Sequence, residues 1–232
     1  SGLQHAEMFP LLHKDQPNPA ELFQVWLNLP ASRKFAAPCY KMLWAEDIPV
    51  ISIKDTAEKN VEIRIIAGHY ADTRALDPAP DSWAADPENE VVMWLVTLEA
   101  GATWTIPAAK GKVSRMLYHY EGSGMTVAGH SLPGYHCCRL APDHDLTVVN
   151  GNTEGRFLIL QGKPIGEPVV QYGPFVMNTE EEIRDAFRDY RATQFGGWPW
   201  DRTDPVHGPE LRRFAIYADG SSSEPAGFSG GD

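Results

Sequence analysis

Val91-Val92-Met93-Trp94-Leu95-Val96-Thr97-Leu98 reads as a mostly apolar strand. Gly101 breaks it, and Thr103 to Ile106 resume the pattern. Met116 to Tyr120 read as another strand, ending at Glu121-Gly122-Ser123-Gly124. Met125–Val127, Leu146–Val149 and Phe157–Leu160 follow, the last ending at Gly162. Upstream, residues 61–67 (Val-Glu-Ile-Arg-Ile-Ile-Ala) alternate at period two and stop at Gly68. Residues 22–29 (Leu-Phe-Gln-Val-Trp-Leu-Asn-Leu) read as a strand bounded by Pro19 and Pro30. Many short strands between closely spaced Gly and Pro turns signal an all-β sandwich or barrel.

One helix interrupts this pattern. Thr179 is a good N-cap, and Glu182 three residues on completes a capping box. Glu180, Glu181 and Glu182 suit the positive helix N-terminus. Ile183, Phe187 and Tyr190 form one apolar stripe, and Gly196-Gly197 are placed to stop the helix. The helix is expected to pack across the barrel. From about Asp201 the chain is rich in Pro, Gly, Ser and charge, and residues 219–232 are expected to be disordered.

Composition narrows the function. The 232 residues are 43% hydrophobic and 22% charged, ordinary for a globular chain. Asp and Glu number 31 against 20 Lys and Arg, a net charge of −11. A surface this acidic argues against direct contact with nucleic-acid phosphates and against anionic membranes. No apolar run approaches the roughly 20 residues of a membrane span. Cys39, Cys137 and Cys138 offer no CxxC pair, and reduced, mostly buried thiols in a cytoplasmic protein are expected. The chain opens on Ser1, which reads as a cloning remnant or the continuation of a longer protein.

His5-Ala6-Glu7 is the best candidate for chemistry. On an extended strand, residues two apart share a face, so both side chains can reach one ion. Imidazole with carboxylate suits iron, manganese or zinc. Two donors do not hold a transition metal tightly, so further ligands must come from elsewhere. No H-x-H occurs among the other histidines. His144, between Asp143 and Asp145, reads as a polar turn. His119 reads as a strand residue, and His130 and His136 read as loop residues. The stretch from Gly101 to Gly122 resembles the first cupin motif, in which ligand histidines follow the glycine by six and eight residues. Pro107 and Ala109 stand at those positions, and neither binds a metal.

Three stretches resemble the pirin family of double cupins. The most specific runs Glu167-Pro168-Val169-Val170-Gln171-Tyr172-Gly173-Pro174-Phe175-Val176-Met177-Asn178-Thr179, preceded by Gln161-Gly162-Lys163-Pro164-Ile165. The second is Gly2-Leu3-Gln4-His5-Ala6-Glu7-Met8 with residues 22–30, and the third is Glu46-Asp47-Ile48-Pro49-Val50. The resemblance implies a double-stranded β-helix (cupin) barrel in a bicupin whose first barrel is incomplete. Residues 1–36 would be the last strands of the first barrel. Residues 37–200 would be the second barrel with a closing helix over 179–195, and residues 201–232 an extended tail.

The resemblance also implies one Fe2+, or another divalent transition metal, held by three histidines and a glutamate. His5 and Glu7 match two of these ligands. The other two histidines would lie in an upstream segment that this chain lacks, so its site as it stands could be unfilled. The second barrel would carry no metal, consistent with Pro107 and Ala109. Full-length activity would be that of a quercetin 2,3-dioxygenase, an O2-dependent cleavage of a flavonol ring. Glu7 would be ligand and base, and Phe9 and Trp26 would line the flavonoid-like substrate. The alternatives are an iron-dependent regulator acting through protein partners and, for this chain alone, a metal-free scaffold.

Overall fold

The structure, a computed structural model, describes residues 2–9, 11–206, 208 and 212–227. Contacts divide the chain into Asp47–Ile165 and a second unit made of Ser1–Glu46 with Gly166–Asp232.

The first unit holds strands β1 (Val50–Lys54), β2 (Asn60–Ala67), β3 (His69–Tyr70), β4 (Thr73–Arg74), β5 (Val92–Leu98) and β6 (Thr103–Ile106). It continues with β7 (Ser114–Glu121), β8 (Met125–Val127), β9 (His130–Leu132), β10 (His136–Arg139), β11 (Leu146–Asn150) and β12 (Gly155–Gly162). Antiparallel pairing builds a six-stranded sheet, β1-β2-β5-β12-β7-β10, and a four-stranded sheet, β6-β11-β8-β9. Period-two alternation decides which side chains go inside. Ile63, Ile65, Trp94, Val96, Leu117, Phe157 and Ile159 from the large sheet join Trp104, Ile106, Val127, Leu146 and Val148 from the small one in one core. Trp94, Trp104, Tyr70 and Phe157 pack with ring centroids 5.4–6.2 Å apart. Trp104 Nε1 donates to the Tyr70 hydroxyl at 3.0 Å, so the indole enters the core with its N–H satisfied.

Two turns show how the sequence closes this unit. β2 ends at Gly68, whose φ of +80° favours glycine, and a Cβ there would come 2.4 Å from the Val91 carbonyl. Asp55 ties the β1–β2 turn to β6. Its carboxylate accepts from the amides of Ala57 (2.8 Å), Lys59 (3.0 Å) and Thr103 (2.8 Å). The bonds from Thr103 and then Lys59 hold its pKa below the usual carboxylate range. A depressed folded-state pKa means stability that is present above the unfolded value and lost as pH falls through the folded one. Asp55→Asn is therefore expected to lower the melting temperature at pH 7. It should also narrow the loss on going below about pH 4. Thermal melts at both pH values check this, and an unchanged acid loss would refute it.

The other unit carries the hairpin β13 (Val170–Tyr172) and β14 (Phe175–Met177), helix α1 (Glu180–Thr193) and the hairpin β15 (Ala215–Ile216) and β16 (Ser222–Ser223). The capping box is present. Glu182 N donates to Thr179 Oγ1 at 3.2 Å, and the Glu182 carboxylate accepts from Thr179 N at 2.8 Å. Thr179→Ala should cost about 1 kcal/mol in a urea unfolding midpoint. Ile183 is buried, while Phe187 and Tyr190 meet Phe175 with centroids 4.8 and 6.1 Å apart. Within its own unit α1 packs on β13, β14 and Phe195. The helix ends at Thr193, before the two glycines. Gln194 already adopts a left-handed φ of +47° and its amide bonds back to the Tyr190 carbonyl.

Other expectations are corrected here. Residues 22–29 form no strand, because no neighbouring strand among the described residues pairs with them. His130 and His136 lie on β9 and β10 rather than in loops. The thiols are free, yet Cys39 and Cys137 are exposed and Cys138 is half-buried, not mostly buried. Of the tail expected to be disordered, residues 228–232 lie outside the described residues. Residues 222–223 form β16.

Candidate metal site

His5 and Glu7 do converge. His5 Nδ1 lies 3.6 Å from Glu7 Oε1, with both side chains about half exposed. They sit on a segment without regular secondary structure, so an i, i+2 strand ladder is not what brings them together. Packing holds the segment instead. A Cβ on Gly2 would come 2.3 Å from the Phe195 ring, and Gln4 Nε2 donates to the Gln194 carbonyl at 2.6 Å. Beyond them the His5 ring faces Tyr40, centroids 6.2 Å apart, and Tyr40 meets Tyr217 at 5.9 Å. Burial, then the charge of Glu7, then Tyr217 raise the Tyr40 phenol pKa.

An imidazole nitrogen and a carboxylate oxygen on an accessible segment are donors that suit a divalent transition metal. Among the described residues, no group of three or more His, Cys, Asp or Glu side chains is placed to hold a metal ion. The sequence-predicted substrate residues Phe9 and Trp26 are 68% and 51% exposed, so neither is a core residue. Their neighbours Leu11, Leu12, Leu22 and Phe35 are also exposed.

The histidines and the Pro107 region of Asp47–Ile165 have different surroundings. Arg115 is buried at the ends of its strands, where its Nη1 donates to the Pro107 carbonyl (2.9 Å) and its Nε to Gln161 Oε1 (2.6 Å). A guanidinium thus occupies the surroundings of Pro107 and disfavours a cation there. His119 is 1% exposed with Nδ1 3.2 Å from the Pro133 carbonyl. Its Nε2 lies against Gly122, where an added Cβ would come within 3.0 Å, so the ring fills space rather than lining an opening. His144 is an exposed bend residue, 2.9 Å from Asp143 Oδ1. Burial and the neighbouring Cys137 push the Cys138 thiol pKa up, the opposite of an activated nucleophile.

Tyr40, Tyr217 and Arg213, which bonds the Glu46 carboxylate, carry no motif in the sequence. Arg213 and Tyr217 lie in the Pro-, Gly-, Ser- and charge-rich stretch that begins near Asp201.

Two antiparallel sheets closed on one aromatic core define a cupin fold. A solved quercetin 2,3-dioxygenase from Acinetobacter baumannii superposes with a TM-score of 0.61 at 30% identity, covering 73% of this chain and 55% of that one. Residues 93–196 match the pirin C-terminal cupin domain. Human pirin is 32% identical over 194 residues, which cover 80% of this chain and 62% of the human protein. A Pseudomonas aeruginosa protein provisionally named quercetin 2,3-dioxygenase is 36% identical over 188 residues, covering 78% of this chain and 62% of that protein. The chain belongs to the pirin family. It spans less than two thirds of the length of these relatives.

Proposed function

We propose that His5 and Glu7 are half of a four-ligand iron site in a flavonol 2,3-dioxygenase of the pirin family. The observation that carries this reading is the 3.6 Å approach of an imidazole and a carboxylate on one accessible segment. The names of the relatives support the reaction class. The two remaining donors, in this reading, are histidines of a segment upstream of residue 1. That segment would also cover Leu11, Leu12, Leu22, Trp26 and Phe35, whose joint exposure is costly in water.

Iron bound there would supply a Lewis-acid and one-electron centre for reaction with O2. His5 would bind as neutral imidazole, oriented by its packing. Glu7 would hold one ligand position, and a carboxylate oxygen would accept the proton of the flavonol hydroxyl. Phe9 and Trp26 would present apolar surface to the flavonol rings. The test is iron content and flavonol consumption under O2, measured on the full-length protein. Bound iron with ring cleavage supports the dioxygenase. Iron without turnover favours a regulator working through protein partners, for which the exposed apolar run is a candidate surface. Absence of iron in protein purified and reconstituted without oxygen leaves a metal-free scaffold.

A further inference from the structure

We infer that the C-terminal hairpin β15–β16 is a working part of the His5–Glu7 site, with Tyr40 as the residue that positions the His5 imidazole. The inference rests on the reading of that pair as metal ligands. It concerns residues outside the matched cupin domain, in a stretch whose composition suggested nothing but a tail.

The chain of contacts is continuous. Tyr217 follows β15 and packs on Tyr40 at 5.9 Å, and Tyr40 packs on His5 at 6.2 Å. Tyr40 is therefore held between the His5 ring and the Tyr217 ring. One aromatic ring thus links the imidazole donor to the hairpin. Tyr217 is itself fixed, since its hydroxyl lies 3.3 Å from Ser223 Oγ and its amide donates to the Ser221 carbonyl at 2.9 Å. Asp219 closes the turn by accepting from Ser221 N (2.9 Å) and Ser221 Oγ (2.6 Å).

The hairpin is clamped to the segment that carries Tyr40. Arg213 bonds both carboxylate oxygens of Glu46, and its guanidinium lies 5.6 Å over the Trp44 ring. A two-pronged pair fixes orientation as well as distance. Arg212 pairs with Glu224 across the base of the hairpin.

This support has a physical purpose. His5 and Glu7 lie on a segment with no ladder of backbone hydrogen bonds, so their rotamers are set only by what touches them. Gly2 and Gln4 pin the segment on one side, at Phe195 and Gln194. Tyr40 pins it on the other. Metal ligands held loosely lose affinity, and partners that orient them are typically worth 10–100-fold.

Co(II) affinity and the visible Co(II) bands of the full-length protein test the inference. Glu7→Ala should abolish binding. Tyr40→Leu should weaken it about tenfold and change the bands, while Tyr40→Phe, which keeps the ring, should retain most of the affinity. Arg213→Glu should weaken binding similarly, and the swapped pair Glu46→Arg with Arg213→Glu should recover it. If Tyr40→Leu fails to fold, the Arg213 pair decides. Loss on Glu7→Ala with Tyr40→Leu and Arg213→Glu within twofold of wild type would overturn the hairpin's role and leave the site standing. Lower melting temperatures with unchanged affinity would also overturn it. Undiminished binding in Glu7→Ala would instead bring down the reading of the site itself.

Discussion

Glu7→Ala in the full-length protein is expected to strip iron from the purified protein and to lower flavonol turnover by at least about 100-fold. Mutation of a group that merely orients a ligand already costs 10–100-fold in metal affinity or activity, so loss of a ligand should exceed that range. Glu7 would also lose its second role, because alanine has no oxygen to take the hydroxyl proton. Glu7→Gln separates the two roles. It keeps an oxygen donor and the side-chain volume but is a poor base, so it should retain more metal than activity. Metal analysis beside oxygen uptake with a flavonol checks both. Full iron content with wild-type turnover in Glu7→Ala would refute the proposed site.

Phe157→Ala should cost about 3–5 kcal/mol of stability. Phe157 is fully buried on β12, between β5 and β7 in the large sheet. Its ring lies 6.0 Å from Trp104 of the opposite sheet, so it joins the two layers. The cavity would be lined by side chains anchored in paired strands, which leaves them little freedom to collapse. Against a total of about 5–15 kcal/mol, such a loss brings the barrel close to unfolding. Urea unfolding followed by tryptophan fluorescence measures it. A loss under about 1 kcal/mol would show that Phe157 does not hold the sheets together.

The barrel was legible because its strands carry their own signals. The run at residues 91–98 and the alternation at 61–67 each become a strand, Val92–Leu98 and Asn60–Ala67. The capping box at Thr179 is equally local, and it forms as written. Where the reading failed, the missing information was non-local. Leu22 to Leu29 have strand composition, yet a strand exists only when a neighbour supplies hydrogen bonds. The 212–224 stretch looks too polar to order itself. Arg213 on Glu46 and Tyr217 on Tyr40 order it through partners more than 160 residues away in sequence.

The site was half legible for the same reason. His5-Ala6-Glu7 announces two donors at a spacing that can converge, and their side chains do approach each other. Tyr40 stands in no motif, and only the fold brings it to His5. Pro107 and Ala109 are legible in the sequence as residues without a metal-binding side chain. That Arg115 occupies the surroundings of Pro107 is visible only in the fold.

The most direct test of the proposed metal centre is anomalous diffraction at the iron edge from crystals of the iron-loaded full-length protein. The expected result is one peak within bonding distance of a His5 ring nitrogen and a Glu7 carboxylate oxygen, completed by two histidines from upstream. A peak elsewhere, or iron bound with His5 and Glu7 turned away from it, would contradict the assignment.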